Sequence, residues 1–255
     1  MVERCPDKTE VEGSIPSTRT FIFMKAVILA AGEGLRMRPM TLELHKSMLP
    51  VMGKPLLHYI WQSLPEVIDE VVLVVGYKRE TIQDYLGDEY LGKRITYVVQ
   101  AEKTGTARAL QLCQPHLMSE DNFLVLYADD LHHGPSIKRC LDHDRSILVS
   151  EVDDPRKFGV VITDDSGKVV EIEEKPAQPK SNLAACGVYV LDQKIFNYEP
   201  EQSSTGEYYL TDMIEQLIQD EPVFAVETEF WHPVGYPEDL VTLNDNLSII
   251  TRIGS

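Results

Sequence analysis

Glycine and positive charge are concentrated in one short stretch of this sequence. Gly32 and Gly34 can form a sharp turn whose backbone approaches a ligand closely, because neither residue carries a Cβ atom. The whole chain has 41 acidic and 24 basic side chains, so a local excess of positive charge indicates a negatively charged ligand. Backbone amides flanked by guanidinium and ammonium groups suit a polyphosphate. Within residues 33–55, the cations Arg36, Arg38, Lys46 and Lys54 outnumber the anions Glu33 and Glu43.

The spacing around this turn does not match two common nucleotide-binding loops. A Walker A loop would close with Gly-Lys-Ser/Thr, which is missing, and a dinucleotide fingerprint would have a third glycine where Met37 stands. Pro39 and Pro50 prevent a long helix from starting after the turn. The segment is therefore predicted to be an irregular loop, which in a compact domain is usually functional. A strand followed by Gly-x-Gly also leaves an NAD(P) oxidoreductase as an alternative.

A second candidate site lies at Asp129 and Asp130, shortly after the apolar run FLVLY. Adjacent acids are often no more than a solvated turn. An aspartate that follows a buried strand nevertheless suits Mg²⁺, because this ion takes one or two carboxylates together with phosphate oxygens. A glycosyltransferase would be expected to bind its metal with Asp-x-Asp, and Leu131 occupies the third position here. That alternative therefore lacks its metal motif.

Strands and helices must position these residues, and the first half of the sequence alternates between the two. The apolar run at residues 26–31 precedes the glycine turn and is typical of a strand buried on both faces of a parallel sheet. The alternation predicts an α/β fold with a doubly wound, mostly parallel (Rossmann-like) mixed sheet and helices on both faces. Ligands in such folds gather at the carboxyl ends of the strands. Further strands are predicted over residues 70–76, 95–100 and 123–127, and helices over residues 55–64, 78–86 and 106–117.

The second half of the chain shows a different pattern. Strands are predicted over residues 146–152, 159–163 and 169–173, with a turn at residues 164–167 between the last two. A core-facing helix is predicted where apolar side chains recur at helical spacing, at Leu210, Met213, Ile214 and Leu217. Residues 237–250 are predicted to form one amphipathic helix.

The order of motifs in the first half resembles a known family. Residues 29–41 read LAAG-x-G-x-R-x-x-P-x-T, and Lys46 and the string LPV-x-GKP of residues 49–55 follow. This series is similar to the signature of sugar-1-phosphate nucleotidylyltransferases, also called nucleoside-diphosphate-sugar pyrophosphorylases, and is closest to the glucose-1-phosphate thymidylyl- and uridylyltransferases. The resemblance extends over residues 24–246. It implies transfer of a nucleotidyl group from UTP or dTTP to a hexose 1-phosphate, with release of pyrophosphate.

The resemblance implies roles for the residues on the nucleotide side. Arg36 would contact the nucleotide phosphates and Lys46 the reacting phosphate. Gln100 and Gly105 would read the nucleobase, although Gln100 alone could equally be a surface residue before a helix. A glutamine offers one donor and one acceptor, which matches the imide edge of uracil or thymine and favours a pyrimidine. The remaining nucleotide-binding positions that the resemblance implies are Leu29, Ala31, Gly32 and Gly34.

The resemblance also implies a sugar site built from the second half of the chain. Gly159 lies in an aromatic-Gly-Val motif, where the glycine backbone would approach the hexose. Glu174 would accept hydrogen bonds from sugar hydroxyls, and Lys175 would neutralise the sugar phosphate. Members that take N-acetylglucosamine phosphate often have asparagine where this chain has Ala185. The small residue therefore favours an unsubstituted hexose such as glucose.

The sequence departs from the family pattern near its metal site. The resemblance places Mg²⁺ at Asp129, but many relatives read W-x-D-x-G where this chain has Pro233, and proline cannot bind a metal. Either Asp129 holds the metal with phosphates and water alone, or His232 or Asp130 assists. The same departure supports an alternative function, that of a catalytically weak domain that binds or senses sugar nucleotides.

Composition limits the remaining possibilities. The net charge of −17 argues against a nucleic-acid or anionic-membrane partner, and the apolar runs are too short to span a membrane. Four scattered cysteines without ligand spacing indicate reduced thiols and a cytoplasmic protein. Residues 1–23 are predicted to be a disordered leader and residues 24–255 a single domain. No hexapeptide repeat follows, so no left-handed β-helix is expected, and a homo-oligomer is left open.

Overall fold

The computed structural model describes residues 23–253. The predicted leader therefore lies, apart from Phe23, outside the described residues. The strands are β1 Met24–Ala30, β2 Pro50–Val51, β3 Lys54–Pro55, β4 Ile68–Val75, β5 Glu89–Tyr90, β6 Lys93–Val99, β7 Asn122–Tyr127, β8 Asp130–His132, β9 Ser146–Glu151, β10 Gly159–Thr163, β11 Val169–Glu174, β12 Leu183–Asp192, β13 Phe224–Glu227 and β14 Trp231–Pro233. The α-helices are α1 Leu56–Gln62, α2 Arg79–Leu86, α3 Thr106–Leu117, α4 Gly134–Cys140, α5 Leu210–Asp220, α6 Pro237–Asp245 and α7 Leu247–Thr251.

One mixed sheet organises the described part of the chain. Its main path runs β11-β10-β12-β7-β1-β4-β6-β5, and β9 and β13 join it through β12. Strands β7, β1, β4 and β6 pair in parallel, with Val27 between Val72 and Val125. The strands β10, β11 and β12 pair in antiparallel fashion. The predicted α/β fold with a mixed, Rossmann-like sheet is confirmed.

Helices cover both faces of this sheet. Successive side chains of β1 point to opposite sides, so they pack in two separate hydrophobic clusters. Ile28 packs in a core cluster with residues of α1, α2, α4 and α6. Val27 packs in a second cluster with residues of α3 and α5. Both residues are completely buried. The sheet is thus enclosed by hydrophobic layers, and the loops at the ends of its strands are left to form a site.

The pairing of β12 changes within the strand. Ala184 pairs with β9 and β10, whereas Val188 pairs with β7, and the register of β12 against β9 is irregular between Ala185 and Tyr189. Gly187 lies in this irregular region with φ of 75°. A Cβ atom at Gly187 would lie 2.8 Å from the ring of Tyr127. The glycine therefore allows β12 to cross close over Tyr127 while connecting the two halves of the sheet.

Two segments differ from their prediction. The terminal segment is not one helix over residues 237–250, because Asn246 separates α6 from α7 with φ −131° and ψ 88° and caps α7 with its side chain. The loop after the glycine turn contains short 3₁₀ helices and the β2–β3 pair. Its 3₁₀ helices are Leu35–Met37, Met40–Leu42 and Lys46–Met48.

Candidate active site

A cavity of about 510 Å³ lies where the carboxyl ends of β1, β6 and β7 meet. Parallel strands bring these three ends to one edge of the sheet, as the fold predicts. Residues after β11 and around α5 complete the wall. The cavity is lined by all of the residues proposed for the nucleotide, the metal and catalysis, namely Leu29, Ala31, Gly32, Gly34, Arg36, Lys46, Gln100, Gly105, Asp129 and Lys175. The structure brings them together, and their individual roles stay predictions.

The two glycines of the turn serve different purposes. Gly34 has a left-handed backbone with φ of 60°, and a Cβ atom there would lie 2.9 Å from Cβ of Lys46. The Thr41 hydroxyl also donates to the Gly34 carbonyl over 2.9 Å. By contrast, a Cβ atom at Gly32 would meet nothing within 4 Å. Gly34 is therefore required for packing, and Gly32 leaves open space beside the cavity.

Lys46 and Asp129 form an ion pair within the cavity. Nζ of Lys46 lies 2.9 Å from Oδ2 of Asp129, and the side chains are 9% and 42% exposed. Burial opposes ionisation of Asp129, but the charge and hydrogen bond of Lys46 outweigh this effect and lower the pKa of the carboxyl. The aspartate therefore remains a carboxylate, and it lines the cavity.

Asp130 faces away from Asp129. Its Oδ2 accepts from Nε1 of Trp231 over 3.0 Å, and its Oδ1 accepts from the backbone N–H of Val234 over 3.3 Å. Burial and the neighbouring Asp129 raise the pKa of Asp130 to about 7. Neither Asp130 nor His232 lines the cavity. The expectation that one of them assists Asp129 with a metal is therefore not supported.

The positive charge of the loop is only partly directed into the cavity. Arg36 lines it, and its guanidinium lies 5.1 Å from the ring centroid of Tyr236. Arg38 does not line it: this side chain is 51% exposed and pairs with Glu33 over 3.6 Å. Nζ of Lys54 lies 3.0 Å from Nε2 of His58 instead. Of the four loop cations, only Arg36 and Lys46 line the cavity. The prediction that the whole positive charge of the loop faces an anionic ligand is therefore corrected.

The Gln100 amide has a fixed orientation. Its Nε2 donates to the Gly105 carbonyl and to the Thr104 hydroxyl, both over 3.1 Å. Because a carbonyl can only accept, the NH₂ group must face Gly105, and Oε1 is left as an acceptor. Gly105 itself has φ of 94°, and a Cβ atom there would collide with the backbone of Tyr208. A glycine is therefore required at position 105.

The three residues proposed for the sugar lie together, next to the cavity rather than in its wall. Gly159 and Glu174 are cross-strand partners in β10 and β11. A Cβ atom at Gly159 would lie 3.3 Å from Oε2 of Glu174 and 3.6 Å from Cβ of Ala185. Glu174 accepts from the Thr211 hydroxyl over 3.0 Å and pairs with Lys175 over 2.8 Å. Lys175 thus connects this cluster to the cavity.

The profile of one protein family covers this whole arrangement. Residues 25–248 match the family described as nucleotidyl transferase. The chain belongs to the nucleotidyl transferase family. The family resemblance found in the motif string is therefore confirmed.

Curated relatives of this nucleotidyl transferase support the same assignment. The UTP–glucose-1-phosphate uridylyltransferase AglF of Haloferax volcanii is 37% identical over 228 residues, which cover 85% of this chain and 93% of AglF. The bifunctional protein GlmU of Methanocaldococcus jannaschii is 37% identical over 227 residues, which cover 88% of this chain. The chain spans 54% of the length of that GlmU, about half.

A solved structure shares the fold. A Bacillus anthracis protein, assigned as a glucose-1-phosphate thymidylyltransferase and crystallised with sucrose, superposes with a TM-score of 0.78 at 30% identity. The superposition covers 89% of this nucleotidyl transferase and 95% of the other chain.

Several residues that line the cavity were not predicted from the sequence. Tyr209 is one of them: its ring centroid lies 4.5 Å from Nζ of Lys175, and its hydroxyl donates to Glu207 over 3.0 Å. The motif GEYYLTD at residues 206–212 contains both residues and is a local signal that could have indicated them. Lys103 forms an ion pair with Glu33 across the cavity. The unpredicted lining residues include His45, Lys103, Thr106, Tyr127, Glu207 and Tyr209.

Two further findings concern metals and membranes. Within residues 23–253, no group of three or more His, Cys, Asp or Glu side chains is arranged to hold a metal ion. None of the helices in that range is both long and apolar enough to cross a membrane.

Proposed function

We propose that this nucleotidyl transferase transfers a nucleotidyl group from UTP or dTTP to a hexose 1-phosphate, giving a nucleoside-diphosphate sugar and pyrophosphate. One observation carries the proposal: a single cavity is lined by the glycine turn, Arg36, Lys46 and Lys175, and Lys175 pairs with Glu174 of the adjacent cluster. Such a site can hold two anionic substrates at once. The activity of AglF, a UTP–glucose-1-phosphate uridylyltransferase, supports the same substrate classes.

The chemistry requires charge neutralisation more than proton transfer. A sugar phosphate is largely dianionic near neutral pH, so its oxygen can attack without a general base. That oxygen forms a bond to the α-phosphorus, and the bond from the α-phosphorus to the bridging oxygen breaks. Pyrophosphate then leaves with the electron pair. The protein lowers the barrier by aligning the two anions and stabilising the charge that spreads over the reacting phosphate.

Each proposed catalytic cation of the cavity is assigned to a different phosphate group of the substrates. Arg36 contacts the nucleotide phosphates, and Lys46 stabilises the reacting phosphate from its buried position beside Asp129. Lys175 neutralises the phosphate of the sugar. Its ammonium is held between Glu174 and the Tyr209 ring, which restricts where it can act. Holding the charges in fixed positions avoids reorganisation during the reaction.

The fixed Gln100 amide favours uracil or thymine. The N3–H of either base can donate to Oε1 of Gln100, whose Nε2 is already engaged with Gly105. Cytosine presents an unprotonated N3, so two acceptors would face each other. This hydrogen bond favours a base with an imide N–H over cytosine, and UTP and dTTP fit equally in this respect.

Asp129 is suited to hold Mg²⁺, because it is the carboxylate beside Lys46 and faces the cavity. Magnesium binds through one or two carboxylates with the remaining positions filled by water and phosphate oxygens. The single carboxylate therefore fits an ion that arrives with the nucleotide. When bound, the ion would neutralise charge on the nucleotide phosphates.

Ala185 supports an unsubstituted hexose. Its side chain is 7% exposed and is packed close to Gly159. It offers no amide to a 2-acetamido group, so glucose 1-phosphate is the proposed acceptor.

The proposal is tested by a substrate matrix. Four nucleoside triphosphates are combined with glucose 1-phosphate, N-acetylglucosamine 1-phosphate or mannose 1-phosphate in the presence of Mg²⁺, and pyrophosphate release is measured. We expect the highest kcat/KM for glucose 1-phosphate with UTP or dTTP. Preference for a purine triphosphate would contradict the role of Gln100, and preference for N-acetylglucosamine 1-phosphate would contradict that of Ala185.

A second candidate function is a catalytically weak domain that binds or senses sugar nucleotides. Pro233 favours it, because this residue pairs with Asp130 in β14 and β8 and supplies no carboxylate beside Asp129. Binding of UDP-glucose in a calorimeter, without pyrophosphate release from any pair of the matrix, would favour this candidate over the enzyme.

A further inference from the structure

His45 is a buried histidine in the wall of the cavity, 3% exposed. Its Nδ1 accepts from the backbone N–H of Ser47 over 3.1 Å and lies 2.7 Å from the Ser47 hydroxyl. In this way it caps the 3₁₀ helix Lys46–Met48. Because a backbone amide can only donate, Nδ1 carries no hydrogen, and the hydrogen of the neutral ring lies on Nε2.

The other ring nitrogen, Nε2, forms no hydrogen bond with any described residue. Within residues 23–253, Nε2 of His45 is buried without a hydrogen-bond partner. Burial lowers the pKa of His45 to about 4, and the backbone of Gly32 opposes this effect. The Gly32 backbone is therefore close to the ring, although Nε2 forms no hydrogen bond with it. A neutral donor therefore faces the glycine turn.

The surroundings place His45 between two parts of the site. On one side, the next residue, Lys46, forms the 2.9 Å ion pair with Asp129. On the other side, the turn packs against the same segment through Gly34 and the Thr41 hydroxyl. A buried donor without a partner costs free energy, so a state of the site that brings an acceptor to Nε2–H is favoured. The unpaired Nε2–H indicates a partner position that is completed in another state of the site.

We propose that His45 is a positioning residue for the reaction. Its Nδ1 fixes Lys46 through the helix cap, and its Nε2–H holds the Gly32 carbonyl when a triphosphate occupies the turn. This inference rests on the proposed function only in that the ligand is a nucleoside triphosphate. His45 is not assigned contact with the substrate.

Two substitutions of His45 test the proposed roles of Nδ1 and Nε2 separately. His45→Asn keeps an acceptor at the position of Nδ1, where asparagine is a good helix cap, and removes the donor at Nε2. His45→Gln can extend an NH₂ group towards Gly32 and removes the short cap. We expect the Asn variant to raise KM for the triphosphate about tenfold, with kcat close to wild type, because one buried hydrogen bond is lost. We expect the Gln variant to lower kcat with little change in that KM.

A control and a binding measurement make the test decisive. His116→Asn makes the same change at an exposed histidine in α3 and should leave both constants unchanged. Calorimetry with Mg·UTP, without sugar phosphate, should show the same tenfold loss for His45→Asn in the full-length protein, since the lost bond belongs to triphosphate binding. Equal effects of Asn and Gln on KM and kcat, accompanied by a lower melting temperature, would overturn the inference, as would wild-type behaviour of both.

The two hypotheses fail in different ways. If the wild-type protein binds Mg·UTP but releases no pyrophosphate, the proposed reaction is wrong, and the binding of His45→Asn still decides the inference. If the wild-type protein binds no triphosphate, both are wrong. Nitrogen-15 spectra of the imidazole add a further check: the Nε2–H resonance of His45 should shift on addition of Mg·UTP, and an unchanged resonance would contradict the inference.

Discussion

Two of the three proposed catalytic cations of the cavity are engaged in ion pairs with carboxylates. Lys46 is committed to Asp129, and Lys175 to Glu174. Arg36 instead lies over the Tyr236 ring, a contact that leaves its guanidinium donors able to bind phosphate. Arg36 is therefore the cation from which we expect the largest contribution to binding of the nucleotide phosphates.

Replacement of Arg36 by alanine tests this assignment against a close control. We expect Arg36→Ala to lower kcat/KM by roughly 100-fold or more, because the proposed donor to the nucleotide phosphates is lost. Arg38→Ala should change kcat/KM by less than about threefold, since an exposed ion pair contributes little. Steady-state kinetics of both variants provide the measurement, and similar losses in the two would contradict the role of Arg36.

The adjacent aspartates allow a second paired test, directed at the metal. We expect Asp129→Asn to abolish Mn²⁺ binding in the presence of UTP, because the amide cannot replace the carboxylate of this site. Asp130→Asn should retain Mn²⁺ binding, since Asp130 bonds Trp231 and Val234 outside the cavity. Electron paramagnetic resonance of Mn²⁺ gives the readout. Loss of binding only in Asp130→Asn would reverse the assignment.

Residues that a motif specified are brought together by the fold, and their roles stay predictions. All the predicted nucleotide, metal and catalytic positions line one cavity, because glycine, arginine and aspartate at strand ends are constrained by backbone geometry and charge. His45 and Tyr127 were missed for a different reason. Their side chains join the site through tertiary packing of distant segments, and no local pattern distinguishes them from core residues.

The glycine turn is the element on which the nucleotide side depends, and its two glycines should respond differently to alanine. We expect Gly34→Ala to reduce the free energy of unfolding by about 1–3 kcal/mol, because its backbone is left-handed and Cβ would press on Lys46. Gly32→Ala should leave stability within about 0.5 kcal/mol and raise KM for the triphosphate. Urea unfolding and kinetics distinguish the two. Equal destabilisation would show that the turn is packed differently.

Regular elements were predicted more accurately than the irregular ones. Helix α3 and strand β10 have the predicted bounds, because hydrophobic periodicity and flanking glycines are local signals. The break at Asn246 was missed, since the apolar spacing continues from α6 into α7 and only the capping side chain of Asn246 separates them. The change of partner in β12 was missed as well, because strand pairing is a long-range property.

The two ends of the sheet have different tasks. The carboxyl ends of the parallel strands form the cavity, and Asp192 pairs with Asn122 at the opposite end of β7. There Arg145, 6% exposed, binds both Asp192 and Glu221 and so ties β9 and β12 to the end of α5. We infer that this end serves stability rather than chemistry.

Substitution of Arg145 should therefore affect folding and not turnover. We expect Arg145→Met to lower the free energy of unfolding by about 2–3 kcal/mol, because it removes the cation paired with Asp192 and leaves Glu221, among the described residues, with Lys194 alone. Arg94→Met removes a 66% exposed arginine from its pair with Asp69 and should cost less than about 1 kcal/mol. Guanidinium unfolding and KM for both substrates are measured together. A changed KM in Arg145→Met with unchanged stability would contradict this division.

Strand β12 pairs first with β10 and then with β7, which limits how segments of related proteins can be exchanged. One continuous strand joins the nucleotide half to the proposed sugar half, and Gly187 lies between its pairing with β10 and its pairing with β7. Inserting a single residue before Gly187 would turn every following side chain to the opposite face of the sheet. Chimaeras that exchange sugar preference between relatives should therefore not be spliced inside this strand, where one codon too many would exchange the side chains that pack in the two hydrophobic clusters.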